Sequence, residues 1–153
     1  MNIERAVVVR TCLVIDDDLA FATFLQKVAE GVGLHVQIMT DPTQLEESLS
    51  VADPDVITLD MDMPGRHGLE VLRVLSARQL GRRVIIISGT PPEYVGNRRR
   101  PYVEGCQIAA VLTKPARKVE IEAALSEAFM RDAPAPRRSP ISGHLRQAHR
   151  RDR

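Results

Sequence analysis

The residues in this chain best placed to do chemistry lie in Asp55-Val56-Ile57-Thr58-Leu59-Asp60-Met61-Asp62-Met63-Pro64-Gly65, an apolar run that ends on a carboxylate and then breaks. A buried strand that stops on Asp60 delivers an acid to a sheet edge, and in open α/β sheets ligands bind outside the carboxyl ends of the strands. Three other apolar runs end in the same way. Cys12 to Ile15 runs into Asp16-Asp17-Asp18, Ile85-Ile86-Ile87 into Ser88-Gly89-Thr90, and Val111-Leu112-Thr113 into Lys114-Pro115. Parallel strands share one C-terminal edge, so these groups can converge although they are far apart in sequence.

Several carboxylates gathered in one pocket repel and raise one another's pKa unless a cation intervenes. Hard oxygen ligands with no His or Cys beside them suit Mg²⁺, which keeps part of its octahedral shell as water. Such a metal leaves Asp60 ionised and able to attack a phosphorus, while Lys114 and the Ser88 hydroxyl balance charge on the phosphoryl oxygens. Positioning plus electrostatics is most of what phosphoryl transfer requires.

The elements that must position these groups alternate along the chain. Apolar runs of strand length occur at Cys12 to Ile15, Leu34 to Met39, Val56 to Leu59, Val84 to Ile87 and Ile108 to Leu112. Ala6 to Val9 is a further run that could lengthen the first strand. Between them lie helical patterns. Leu19 to Glu30 places Leu19, Ala22, Leu25 and Val28 or Ala29 on one face; Asp41-Pro42 opens a second helix with an N-cap acid and a proline; Leu69, Leu72 and Leu75 mark a third. The last, Val119 to Met130, carries Ile121, Ala124, Leu125 and Ala128. The fourth is weak. Gly96 and Pro101 interrupt the stretch from Pro91, and a proline inside a helix costs about 3 kcal/mol, so a short or broken helix is expected there. Five strands alternating with about five helices specify an α/β fold, a doubly wound parallel sheet covered on both faces.

With 153 residues, 44% hydrophobic and 27% charged, the chain has the composition of one ordinary globular domain. Its net charge of +1 is unevenly spread: in residues 132–153 six arginines face two aspartates, a local +4 that leaves the body at −3. That segment, with Pro134, Pro136 and Pro140 and few large apolar residues, reads as a basic, disordered tail following a domain over 1–131. Cys12 and Cys106 are far apart and neither has a second Cys or His at ligand spacing, which argues against zinc and a disulfide framework. Arg5 and Arg10 bracket the only N-terminal apolar run, so no signal peptide or membrane span is expected and a reducing, cytoplasmic setting follows.

Leu13-Val14-Ile15-Asp16-Asp17-Asp18, Leu59-Asp60-Met61-Asp62-Met63-Pro64-Gly65 with Gly68-Leu69-Glu70, Ile87-Ser88-Gly89 and Thr113-Lys114-Pro115 together resemble the receiver domain of two-component response regulators, over roughly residues 11 to 131. The resemblance implies a flavodoxin-like sheet of order 2-1-3-4-5 and a phosphoprotein of a phosphorelay, which takes a phosphoryl group from a sensor histidine kinase or phosphotransfer protein. Asp60 would be the phosphoacceptor. Asp16 and Asp17 would hold Mg²⁺ together with Asp60 and a backbone carbonyl at Met61 or, by the usual family assignment, Asp62. Ser88, Gly89 and Lys114 would bind the phosphoryl group, and Asp62 and Thr90 would tune its lifetime. The Lys114-Pro115 bond resembles one that is often cis in the family. With no DNA-binding domain fitting residues 132–153, the signal would leave by contact with a downstream protein target, a homodimer being compatible with this, and the chain would not be an enzyme beyond its own phosphorylation and dephosphorylation.

Two departures and two rivals qualify this, the first departure being that the broken fourth helix belongs to the face that typically carries the signal out in the family. Three residues before Lys114, where many receivers carry an aromatic that rotates on phosphorylation, stands Val111, and Tyr102 is the nearest aromatic. Leu59-Asp60-Met61-Asp62 also fits the Asp-x-Asp of haloacid-dehalogenase-like phosphatases, with Ser88 and Lys114 in matching order; there an acidic pair follows the lysine, whereas here the acidic cluster precedes Asp60. The other rival is an interaction module that never takes phosphate. Blander roles fall to Asp18 as a helix N-cap, to His67 as a surface residue, to Met61 and Met63 in packing and to Arg98 to Arg100 as a solvated face.

Overall fold

A computed structural model describes residues 9–51, 53–80, 83–90 and 102–130. Its elements are β1 (Thr11–Ile15), α1 (Leu19–Gly31), β2 (His35–Met39), a 3-10 turn (Pro42–Gln44) running into α2 (Leu45–Val51), β3 (Val56–Leu59), α3 (Gly68–Ala77), β4 (Val84–Ser88), β5 (Tyr102–Val103), β6 (Cys106–Gln107), β7 (Ala110–Thr113) and α4 (Lys118–Met130). Five of the strands form one parallel sheet in the order β2-β1-β3-β4-β7, which is the expected 2-1-3-4-5. The stretch 91–101, where the broken fourth helix is expected, and the tail from 131 on lie outside the described residues.

The sheet is buried because helices cover both faces, and the strand sequences are correspondingly apolar throughout. All four residues of β3 and all five of β4 are buried. Alternate residues point to opposite layers: Leu13, Ile15, Ile57 and Leu59 pack with Leu45, Leu72 and Leu75 from α2 and α3, whereas Cys12, Val14, Val56, Ile85 and Ile87 pack with Ala22, Leu25, Ile121 and Leu125 from α1 and α4. At full burial each large aliphatic side chain contributes about 1.5–3 kcal/mol. Met61 and Met63 are core residues, as expected. Both cysteines are buried and free, and burial pushes the Cys12 thiol up to about 12.

Several expectations change. Leu19 is 60% exposed rather than part of the buried stripe of α1. It is the first helical residue and helical side chains tilt back towards the N-terminus, so it projects past the helix start and away from the face that Ala22, Leu25 and Val28 bury. Val9 lies outside any strand, so β1 begins at Thr11; residues 6–8 are outside the described set. The last sheet strand starts at Ala110, not Ile108, and Ile108 is buried in the core. The chain reaches it through a hairpin that the sequence reading lacks. Tyr102–Val103 pairs antiparallel with Cys106–Gln107 across Glu104 (φ 48°) and Gly105 (φ 81°), both left-handed as a two-residue type I′ turn demands. Arg73 of α3 binds Glu104 at 2.9 Å, and the Cys106 thiol donates to the Leu72 carbonyl.

Among the described residues one buried side-chain polar atom lacks a hydrogen-bond partner, the Thr58 hydroxyl in the middle of β3. It lies in register between Val14 and Ile85, both in the α1 and α4 layer. An unpartnered buried hydroxyl carries its desolvation cost with no compensation. Thr58→Val keeps the shape and removes the hydroxyl, and is expected to raise unfolding free energy by about 1 kcal/mol in urea melts.

Candidate phosphoryl-acceptor site

Register brings the four strand-end groups together. Ile15 pairs with Leu59 across β1 and β3, and the ladder runs one residue further, with Asp60 N–H donating to the Ile15 carbonyl at 3.0 Å and Asp16 N–H to the Met39 carbonyl at 3.1 Å. Ser88 pairs with Thr113 across β4 and β7, and Lys114 N–H donates to the Ser88 carbonyl at 3.0 Å. Asp16, Asp60, Ser88 and Lys114 therefore stand at the same edge of the sheet. The first three are buried and Lys114 is half-buried.

Lys114 is the cation of the cluster. Its Nζ donates to Asp16 Oδ2 at 2.7 Å and lies 3.4 Å from Asp60 Oδ2. The other oxygens are occupied by backbone: Asp16 Oδ1 accepts from Asp18 N–H at 2.9 Å, and Asp60 Oδ1 from Asp62 N–H at 3.3 Å. Burial pushes the Asp16 carboxyl up, and the bonds from Lys114 and Asp18 recover only part of the shift. Burial also pulls Lys114 down, but its bond to Asp16 and the charges of Asp16 and Asp60 together outweigh this and hold the ammonium above its ordinary value. Among the described residues one lysine thus faces two buried carboxylates, which leaves the pocket short of positive charge.

Asp17 completes a donor set. Carboxylate oxygens of Asp16, Asp17 and Asp60 lie within 4.8 Å of one another, with Asp17 exposed at the mouth. All-oxygen donors, a buried excess of negative charge and an open side fit a hard divalent cation that keeps several waters. The Asp62 side chain is not in this set. It is exposed and its Oδ2 lies 3.5 Å from Ser88 Oγ, so of the residues expected to serve the metal, Asp62 is left with its backbone carbonyl alone. Thr90 N–H lies 3.4 Å from Ser88 Oγ, and Gly89 is exposed with open space where a side chain would stand.

Local structure holds the loops that frame the site. Asp18 caps α1, its Oδ1 accepting from Ala20 and Phe21 N–H. His67 is exposed, as expected, but it also caps α3 through Nδ1 and Leu69 N–H. Gly68 is required by close approach: a Cβ there would lie 2.6 Å from Met61 Cα. Arg66 binds both carboxylate oxygens of Glu46 at 2.7 Å, tying the loop after Asp60 to α2 and holding that carboxyl at about 2. The Lys114-Pro115 peptide is cis. One contact escaped the sequence reading. The Phe21 ring lies under the Lys114 ammonium, 4.4 Å from centroid to Nζ, and its only sequence signal is an aromatic in the first turn after Asp18.

Residues 12–126 match the model of the response regulator receiver domain. The chain belongs to that family. Among curated proteins this receiver is 38% identical over 65 residues to the DNA-binding response regulator MtrA of Mycolicibacterium paratuberculosis, a match covering 42% of this chain and 29% of that protein. It is 34% identical over 88 residues to protein-glutamate methylesterase/protein-glutamine glutaminase 2 of Burkholderia thailandensis, covering 56% of this chain and 22% of that protein. The chain thus matches less than a third of the length of these curated relatives. Among solved structures it resembles the receiver domain of a Francisella response regulator, with TM-score 0.63 and 25% identity over 80% of this chain and 98% of that one. Among the described residues no helix is long and apolar enough to cross a membrane.

A cation bound by the native acidic cluster stabilises the fold by mass action, about 1.4 kcal/mol at ten times its dissociation constant. Mg²⁺ is expected to raise the Tm of the wild-type protein, and Asp17→Asn, which removes an exposed carboxylate and no packing, to abolish most of that rise in the same thermal melts.

Proposed function

We propose that this receiver accepts a phosphoryl group on Asp60 from the phosphohistidine of a sensor histidine kinase or phosphotransfer protein, and passes the signal on by contact with a downstream protein. The observation that carries the reading is the convergence of a buried Asp60 with Asp16, Asp17, Ser88 and Lys114 at one sheet edge. A carboxylate oxygen of Asp60 attacks phosphorus, a P–O bond forms as the P–N bond to the donor imidazole breaks, and the departing imidazole takes a proton from solvent. Lys114, released from Asp16, pairs with a phosphoryl oxygen, and the Ser88 hydroxyl, released from Asp62, donates to another. Asp16, Asp17, Asp60 and the backbone carbonyl of Asp62 are the groups that would hold Mg²⁺, which when bound offsets the negative charge gathered around the transferring group. Gly89 leaves room for the phosphoryl group beside Ser88. Asp62, whose Oδ2 lies 3.5 Å from Ser88 Oγ, and Thr90, whose N–H lies 3.4 Å from it, would tune the lifetime of the acyl phosphate.

Turnover as a phosphatase is the rival. The geometry favours the receiver reading because the second aspartate, Asp62, faces Ser88 and not the acidic cluster, while the cluster is completed from β1. The test is incubation with acetyl phosphate and Mg²⁺ followed by intact mass. Wild type is expected to gain one phosphoryl group and Asp60→Asn none. Gain in Asp60→Asn, or many turnovers on a phosphate monoester with no labelled protein, would contradict the proposal.

A further inference from the structure

Lys114 is held by more than carboxylates. Its ammonium stands 4.4 Å from the centre of the Phe21 ring while donating to Asp16. Phe21 is itself fixed: it lies in the first turn of α1, its N–H is bound by the Asp18 cap, and its ring packs at 6.0 Å and 49° against that of Phe24. The ring is half-buried and abuts the hydrophobic layer between α1 and the sheet.

An acceptor site asks two incompatible things of its lysine. Before transfer the ammonium neutralises Asp16 and Asp60; during transfer it must leave Asp16 and face the phosphoryl oxygens. On a flexible four-carbon stem, an ammonium released from a carboxylate is free to swing into solvent. An aromatic face attracts the cation through its quadrupole without consuming an N–H donor, so it can hold the group while leaving its donors to be redirected.

We propose that Phe21 is a positioning residue for Lys114: its ring keeps the ammonium at the site when the oxygens of Asp16 are taken by a divalent cation, so that it is already in place for the phosphoryl group. The proposal rests on the receiver reading given above. Phe21 touches no reacting atom and acts through Lys114.

The test uses the full chain with Phe21→Leu, Phe21→Tyr and Lys114→Met, following acetyl phosphate labelling at saturating Mg²⁺. Phe21→Leu is expected to lower the maximal labelling rate about threefold to thirtyfold, the range of a cation–aromatic contact, while Mg²⁺ affinity read from thermal shifts without donor stays within about twofold. Phe21→Tyr, which keeps the ring face, is expected to recover the wild-type rate. Independently of any variant, the Lys114 Cε protons of the wild type are expected to be shifted upfield by the ring and to stay so when Mg²⁺ is added. A wild-type rate in Phe21→Leu, equal losses in Leu and Tyr, or an upfield shift that vanishes with Mg²⁺ would overturn the proposal. If wild type is labelled and Lys114→Met is slow while Phe21→Leu is not, the ring's role alone falls. If wild type takes no phosphoryl group, the receiver reading falls and this proposal with it.

Discussion

Everything at this sheet edge follows from one electrostatic constraint: Asp16 and Asp60, both buried, share the single ammonium of Lys114. Ion pairs with solvent-exposed partners contribute little, but two buried carboxylates left without a cation would cost several kcal/mol. The rest of the fold meets that constraint. Apolar strands place three side chains from β1, β3 and β7 within reach of one another, with Ser88 of β4 between them. Backbone N–H groups of Asp18 and Asp62 satisfy the carboxylate oxygens that Lys114 does not. Among the described residues what remains is a local excess of negative charge with Asp17 at its open side, a pocket suited to taking up a further cation.

The polar groups of this edge were legible in the sequence because each ends an apolar run, and a parallel sheet converts that shared pattern into proximity. Asp16, Asp60, Ser88 and Lys114 need no knowledge of the loops to be brought together. Asp62 was not legible in the same way. Its position two residues past Asp60 says nothing of where its side chain turns, and the loop directs it to Ser88 and not to the acidic cluster. Leu19 fits the helical stripe by spacing, yet at the first position of α1 its side chain tilts back past the helix start and stays exposed. The hairpin before β7 was missed because strands of two residues have no periodicity to read; Glu104-Gly105 between Val103 and Cys106 is its only local mark. Phe21 was missed for a further reason, since a contact between α1 and the end of β7 spans most of the chain and depends on how the two layers pack.

The same packing bears on the path by which a signal would leave. Val111, where many receivers carry an aromatic, is half-buried and packed against the α2 and α3 layer, in register with Ile86. The aromatic that meets the site's lysine in this chain comes instead from the opposite layer, on α1. Between β4 and β7 the described chain forms a hairpin seated on α3 through Arg73 and Cys106. With Val111 at that position, no aromatic ring stands there to rotate with Ser88.

Asp60 as the nucleophile is tested most directly by locating the acyl phosphate. Borohydride cleaves an aspartyl phosphate to homoserine, so reduction of protein labelled by acetyl phosphate in Mg²⁺, followed by peptide mass spectrometry, reads the acceptor residue by residue. Homoserine is expected at position 60, with Asp16, Asp17 and Asp62 recovered as aspartate. Homoserine at any of those three, or a label that borohydride leaves in place on another residue type, would contradict it.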